Sequence, residues 1–404
     1  MSNFFTKYLR GDTTIWLVFF ILCVFSVIEL YSASSTLAFK AANHTAPMMQ
    51  HAAFLLFGAV IAYLVHFIPY KYIRILAYPG LVLSFILLIY VQFKGQSAND
   101  AARWIRIFGF QFQPSELGKM SLLIVVADLI SRIRAYPQDE KKYFWWIIGI
   151  TVTICGLILL ENFSTAAILG LVIFFMMFIG QVNWKKLLSI VGVVAVFLFL
   201  GYVTVKAVPQ EKMPKAFSRA YTWVNRIDRK SGEDKDDKYV INDKNLQVQH
   251  GRIAVARGGF LGVFPGNSVE RDFLPHAFDD FIYAIIIEEM GLLGGIFVMM
   301  LYLILLFRTG QIATVCKSTF PAMLVTGLGL IIGLQAAVNM IVGSGFGLVT
   351  GQPLPLISRG GTSILITCVY FGIILGIIRQ IKEETVSVSQ SPEQPVKEVG
   401  IEEI

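Results

Sequence analysis

Apolar runs of about 20 residues recur roughly every 25–40 positions, and this constrains the fold more than any motif does. They predict helices at roughly 14–34, 50–68, 73–93, 115–133, 143–160, 164–181, 185–205, 280–307, 320–343 and 362–380. With 55% hydrophobic residues, 32 of them Phe, in a chain of 404, no water-soluble core could hold so much apolar surface. The expected class is an all-α, polytopic integral membrane protein of about ten transmembrane helices. No soluble enzyme domain is visible. The first run, Thr14–Leu30, exceeds a signal-peptide core and is followed by further spans, so it reads as an uncleaved first helix. Cys23, Cys155, Cys316 and Cys368 form no CxxC pair and imply neither a metal site nor a disulfide framework. The net charge of +7 fits basic loops facing anionic lipid better than nucleic-acid binding.

Basic residues fall on one side of the runs. Lys7, Arg10, Lys71, Arg74, Arg132, Arg134, Lys141, Lys142, Lys185, Lys186, Arg308, Lys317, Arg379 and Lys382 share it, against Lys40, Lys94, Arg103, Arg106 and Arg359 on the other. The positive-inside rule then puts both termini in the cytoplasm and makes the loops at 99–114, 206–279 and 343–361 extracytoplasmic. The expected organisation is a cytoplasmic N-terminus (1–13), helices one to seven (14–205) and a long extracytoplasmic loop with amphipathic helices (206–279). Helices eight to ten (280–382) and a disordered acidic cytoplasmic tail (383–404) complete it. No inverted repeat of the transporter kind is evident. Small-residue pairs at Gly329/Gly333 and Gly372/Gly376 would let helices approach closely.

The polar residues that interrupt this pattern collect on the extracytoplasmic side. Phe273–Gly295 carries Asp279 and Asp280 into an apolar helix, where they suit the first turn. Glu288 and Glu289 lie deeper and must be partnered, protonated or in a wet cavity. An acid at the membrane's edge can cap the helix or act as a general base. Asn99–Lys119 sets Arg103, Trp104 and Arg106 among aromatics as an interfacial element, then pairs Glu116 with Lys119 at i and i+3, which an ordinary helix start with a surface ion pair also explains. Glu161 and Asn162 read as a tight turn. Residues 212–227 mix basic and aromatic side chains as a helix lying on a membrane would. Gly258, Gly259, Gly262 and Gly266, with Asn267 and Ser268, form a glycine-rich turn of a kind common in loops. Pro353, Pro355, Ser358, Arg359, Gly360, Gly361 and Ser363 suit a cavity-lining loop that could hold an anion, or a helix cap.

Seven stretches in this order carry a resemblance over nearly the whole chain: Y-S-A-S (Tyr31–Ser34), A-R-W-I (Ala102–Ile105), F-Q-P-S-E-L-G-K (Phe112–Lys119), E-N-F-S-T-A (Glu161–Ala166), G-G-F-L-G-V-F-P-G-N-S (Gly258–Ser268), D-F-I-Y-A-I-I-I-E-E-M-G-L-L-G (Asp280–Gly294) and L-P-L-I-S-R-G-G-T-S (Leu354–Ser363). They resemble the SEDS family of shape, elongation, division and sporulation proteins, and P-G-N-S followed by R-D-F-L-P looks more like its division-type branch. The resemblance implies a ten-helix peptidoglycan glycosyltransferase that polymerises lipid II at the outer face of the bacterial cytoplasmic (inner) membrane. The implied partners are lipid II, undecaprenyl-pyrophosphate-linked glycan, a class B penicillin-binding protein, other divisome membrane proteins and membrane lipids, with no nucleic acid. The family's essential acid, the Asp directly before Phe-Ile-[Phe/Tyr], falls on Asp280. His276, Phe278 and Asp279 stand where the family has Glu, His and Thr, and Arg359 where many relatives carry Tyr.

On this reading Asp280 is the general base. Arg103, Trp104, Glu116, Lys119, Gly258, Gly259, Asn267, Ser268, Ser358, Arg359, Gly360, Gly361 and Ser363 are the expected substrate-binding residues. Glu288 and Glu289 are structural. No metal ligands are assigned, and a divalent cation, Mg or Mn, is the open candidate for a cofactor at the pyrophosphate. Two rival functions are a lipid II flippase, which should show polar lining at the cytoplasmic end as well, and a non-catalytic scaffold for the penicillin-binding protein.

Overall fold

The computed structural model describes residues 10–33, 46–94, 96–98, 101–107, 110–207, 224, 245–274, 277–347 and 349–389. Each predicted run is a helix: α1 (Thr13–Ala33), α2 (Ala46–His66), α3 (Tyr70–Lys94), α4 (Pro114–Ala135), α5 (Glu140–Glu161), α6 (Phe163–Ile179), α7 (Trp184–Ala207), α10 (Ile282–Val315), α11 (Thr319–Gly343) and α12 (Gly361–Ser389). Two further helices, α8 (Leu246–Gly258) and the short α9 (Glu270–Phe273), lie between α7 and α10. Eight of the long helices are apolar and long enough to cross a membrane, and α6, at 17 residues, is shorter. The first amphipathic segment expected in the long loop, 212–227, lies outside the described residues apart from Val224.

The remaining long helix, α4, carries Glu116, Lys119, Asp128, Arg132 and Arg134, yet it is buried from Pro114 to Ile133 at the centre of the bundle, against α3, α5, α6, α11 and α12. Charge is admissible there because it is paired near each end. Glu116 and Lys119 meet at 2.7 Å, both buried, so this is an internal ion pair and not a surface one. Thirteen Å or so further along the axis at the helical rise, Asp128 takes Arg132 at 3.0 Å together with the Arg74 guanidinium and the Tyr78 hydroxyl from α3.

Small residues set the closest helix contacts. A Cβ on Gly372 or Gly376 of α12 would stand 2.7 or 2.9 Å from the backbone oxygen of Ala62 or His66 in α2, and one on Gly329 would stand 2.3 Å from Thr309 Oγ1. The last helix also outruns its apolar run. Arg379 holds Glu383 at 3.1 Å one turn on, Glu383 reaches Arg10 at 3.4 Å, and Lys382 Nζ donates to Gly11 O at 2.6 Å. Residues 383–389 are therefore helical, where a disordered tail was expected, and 390–404 lie outside the described residues.

Between α3 and α4 the chain forms a small antiparallel sheet, β1 (Gln96–Ala98), β2 (Ala101–Ile107) and β3 (Phe110–Phe112), with Gln96 opposite Trp104 and Arg106 opposite Gln111. Strand periodicity gives Arg103 one face and its neighbour Trp104 the other. The sheet packs against α3, α4, α5 and α12 at the bundle end where α5 gives way to α6.

Candidate functional site

Asp280 sits at that end, in a turn over residues 277–280, and not in the first turn of a helix as expected. Helix α10 starts at Ile282 after Phe281 and has no acid in its first turn. What holds the turn is its own backbone. Three successive carbonyls accept bonds from neighbouring elements: Phe278 O from Arg359 N at 2.9 Å, Asp279 O from Ser358 Oγ at 2.5 Å, and Asp280 O from Asn339 Nδ2 at 3.0 Å. The same Asn339 amide donates to Gln352 O at 2.8 Å, and Ser358 Oγ also accepts Leu354 N at 2.7 Å. The 349–360 loop and α11 thus fix the three peptide units through which the chain enters α10. With its backbone tied at three points, Asp280 has a defined position, and it is half-buried. Gly351, at φ +64, faces it: a Cβ there would lie 3.7 Å from Asp280 Oδ2 and 3.8 Å from Asn162 Nδ2.

The opposite wall comes from β2 and the α5–α6 junction. Arg103 Nε donates to Glu161 O at 3.1 Å. Burial pulls the Arg103 guanidinium below the ordinary arginine range, while the carboxylates of Asp280 and then Glu161 oppose that shift, so cation and acid lie within electrostatic reach of each other. Asn162 caps α6, its Oδ1 accepting Ser164 N at 3.0 Å and Thr165 N at 3.4 Å. Thr165 Oγ1 in turn accepts Gln352 Nε2 at 2.8 Å, which locks the loop to α6. Beneath the loop, Ser26 Oγ contacts His51 Nε2 at 2.7 Å and donates to Ile357 O at 3.1 Å.

Of the expected binding residues, Arg103, Ser358 and Arg359 therefore gather at Asp280. Trp104 is half-buried on the other face of β2, Gly360 and Gly361 lead into α12 with Gly361 against Phe54, and Glu116 and Lys119 pair inside the first turn of α4. The glycine-rich turn is engaged elsewhere. Gly258 and Gly262 bring backbone against α10, where a Cβ would stand 1.9 Å from Ile287 O and 2.2 Å from Glu289 O. Val263 N and Phe264 N donate to Glu288 O and Glu289 O at 2.9 and 2.8 Å, and Leu292 N donates back to Gly259 O at 3.0 Å. Helix α10 breaks at Gly291 (φ 69°, ψ −173°) to receive this strand-like contact.

The two buried glutamates are partnered by the same loop. Glu288 accepts Ser268 Oγ at 2.5 Å and Val269 N at 3.0 Å, with Arg257 at 3.5 Å. Glu289 accepts the Ser32 hydroxyl and lies 3.7 Å from Arg271, whose Nη1 also donates to Ser32 O at 2.6 Å. Asn267 turns inward to Val263 O at 2.9 Å. Pro275 and His276 lie outside the described residues. Among the described residues no three His, Cys, Asp or Glu side chains converge as a metal site would require. Asn339, Gln352 and Gly351 are the residues that sequence reasoning passed over, because an isolated amide in an apolar run or a Pro-rich loop carries no periodic signal.

Residues 12–383 match a protein-family model for FtsW, RodA and SpoVE, described as "Cell cycle protein". The chain is 29% identical over 382 residues to a probable peptidoglycan glycosyltransferase FtsW of Geobacter sulfurreducens, covering 92% of this chain and 96% of that one. It is 30% identical over 377 residues to the protein of the same description from Trichlorobacter lovleyi, covering 92% and 94%. Its fold is similar to a chain in the solved structure of a peptidoglycan synthase complex that coordinates polymerization and crosslinking (TM-score 0.73, 23% identity, 93% of this chain and 99% of that one). It is also similar to the rod shape determining protein RodA of Thermus thermophilus (TM-score 0.63, 23% identity, 93% and 98%).

Proposed function

Because the chain belongs to the FtsW/RodA/SpoVE family, we propose that it is a peptidoglycan glycosyltransferase that polymerises lipid II during cell division, with Asp280 as its general base. The description shared by its FtsW relatives supports the activity. The observation that carries the mechanism is the turn at 278–280, whose three carbonyls are tied down, fixing a carboxylate that acts electrostatically on the Arg103 guanidinium.

Asp280 takes the proton from the 4-hydroxyl of the acceptor's terminal GlcNAc as that oxygen attacks the anomeric carbon of the lipid-linked donor and expels undecaprenyl pyrophosphate. A positioned base supplies about 10²–10⁴-fold. Arg103 offers positive charge for the departing pyrophosphate, and desolvation strengthens that interaction. Arg359, whose backbone N–H donates to Phe278 O at 2.9 Å, is proposed as a second cation for the leaving group.

The site faces the periplasmic side of the inner membrane, with both termini cytoplasmic. The basic loops support that orientation, as do the ion pairs gathered at the end away from Asp280, among them Asp12 with Arg308 at 2.8 Å and Glu140 with Lys186 at 3.0 Å. A class B penicillin-binding protein is the expected partner, in keeping with the synthase complex whose fold is shared. At the far end the buried acid of α4 is locked between Arg74 and Arg132, which disfavours a continuous polar route and with it the flippase reading. Purified protein in vesicles, given lipid II with and without a class B penicillin-binding protein, is expected to yield glycan polymer on a gel. Labelled lipid II crossing the vesicles without polymer would favour the flippase reading instead.

A further inference from the structure

The glycine-rich turn between α8 and α9 does something its backbone contacts with α10 do not explain: it displays three large apolar side chains outward. Phe260, Leu261 and Phe264 are 63%, 68% and 70% exposed. Phe264 adopts φ +71, a left-handed conformation that a bulky L residue takes only when its surroundings impose it. Here they do. Phe264 N is tied to Glu289 O at 2.8 Å, Asn267 N donates to Phe264 O at 3.2 Å, and Asn267 Nδ2 to Val263 O at 2.9 Å. A strained backbone is thus maintained at a position where the side chain touches little of the protein.

The position of the turn along α10 says what it touches instead. From Ile282 to Glu289 every residue of α10 is buried, and its outward apolar face opens at Leu292 and Leu293 and continues through Phe297. Arg308, paired with Asp12 at 2.8 Å, marks the other membrane edge. About 20 residues cross the hydrocarbon, and counting that many back from Phe307 reaches Glu288. The turn bonds to α10 at Glu288, Glu289, Leu292 and Leu293, so it lies at the hydrocarbon boundary on the site-bearing side, continuous with the lipid-facing stripe.

We infer that Phe260, Leu261 and Phe264 form a wedge inserted into the acyl region of the leaflet on the Asp280 side, anchoring the loop in the bilayer itself. The occupant is lipid hydrocarbon, because the patch extends the exposed apolar face of a helix long and apolar enough to cross a membrane and because the stretch Phe260–Phe264 carries no charged residue. Interfacial aromatic and aliphatic groups bind in this way. The inference depends only on the chain's spanning a membrane, not on its chemistry.

The test is spin-label accessibility on the full chain in phosphatidylethanolamine/phosphatidylglycerol vesicles, with the four native cysteines replaced by alanine. Nitroxides are placed one at a time through Phe260→Cys, Leu261→Cys and Phe264→Cys. Phe297→Cys serves as the lipid-facing reference and Asp272→Cys as the aqueous one. The wedge predicts that collisions with oxygen exceed those with a water-soluble nickel complex at 260 and 261, in the ratio seen at 297. Phe264→Cys adds a third reading, and the other two stand if that variant alone misfolds. A ratio like that at 272 would place the turn in water and overturn the inference. Protection from both reagents would mean that another protein chain covers the patch, and would overturn it equally.

Discussion

Replacing Asn339 by leucine removes the α11 side chain that bonds both the Asp280 turn and the 349–360 loop while keeping volume nearly constant. The Asn339 amide donates to two backbone oxygens, Gln352 O at 2.8 Å and Asp280 O at 3.0 Å. Gln352 is buried, so the loss of this donor costs its carbonyl about 1–3 kcal/mol. Asp280 is half-buried, so its carbonyl can regain a water and loses about 0.5–1.5 kcal/mol. The sum, about 1.5–4.5 kcal/mol, is enough to let the turn relax, and a displacement of about 1 Å at a catalytic group costs on the order of 10²-fold in rate. Asn339→Leu is therefore expected to polymerise lipid II about 100-fold more slowly, with a lowered melting midpoint but undiminished binding of the penicillin-binding protein. The measurements are initial rates on gels, a thermal melt and co-purification. A variant that melts lower yet polymerises within about twofold of the parent would refute the argument that these carbonyl ties position the acid.

Four further outcomes follow from the structure. Gly262→Ala would put a Cβ 2.2 Å from Glu289 O at φ +80, and should destabilise by more than about 3 kcal/mol in a thermal melt. Gly192→Ala in α7, where no atom lies within 4 Å, should be neutral or stabilise by up to about 1 kcal/mol. Arg103→Ala should lower polymerisation by at least about 10²-fold, whereas Arg103→Lys, which keeps the charge but forfeits the Nε bond to Glu161 O at 3.1 Å, should fall only about tenfold. Asp12→Asn keeps a cap for Ile15 N, now at 3.1 Å, but gives up the charge facing the partly exposed Arg308. It should cost at most about 1 kcal/mol and leave the polymerisation rate unchanged.

The helices were legible because hydrocarbon thickness dictates run length, and even α4 was found despite five charges. Of its pairs, Glu116 with Lys119 followed from the i, i+3 spacing, whereas Asp128 with Arg74 of α3 did not, since no local pattern announces a partner 54 positions away. The resemblance placed the acid at Asp280, yet its reading as a first-turn residue failed because Phe281 and the carbonyl ties hold the chain out of helix until Ile282. Glu288 and Glu289 were foreseen as needing partners. That Ser268, Ser32 and Arg271 would supply them required knowing that the glycine-rich turn folds back on α10. The strand over Ala101–Ile107 read as an interfacial element, since two arginines and a tryptophan in alternation suit either structure.

The central assignment is best tested by Asp280→Asn, which preserves size and one acceptor oxygen and removes the charge together with the ability to take a proton. With purified protein, its penicillin-binding partner and lipid II, the variant is expected to bind the partner and melt like the parent while polymerising at least about 10²-fold more slowly. Glycan polymer forming at the parental rate would contradict it.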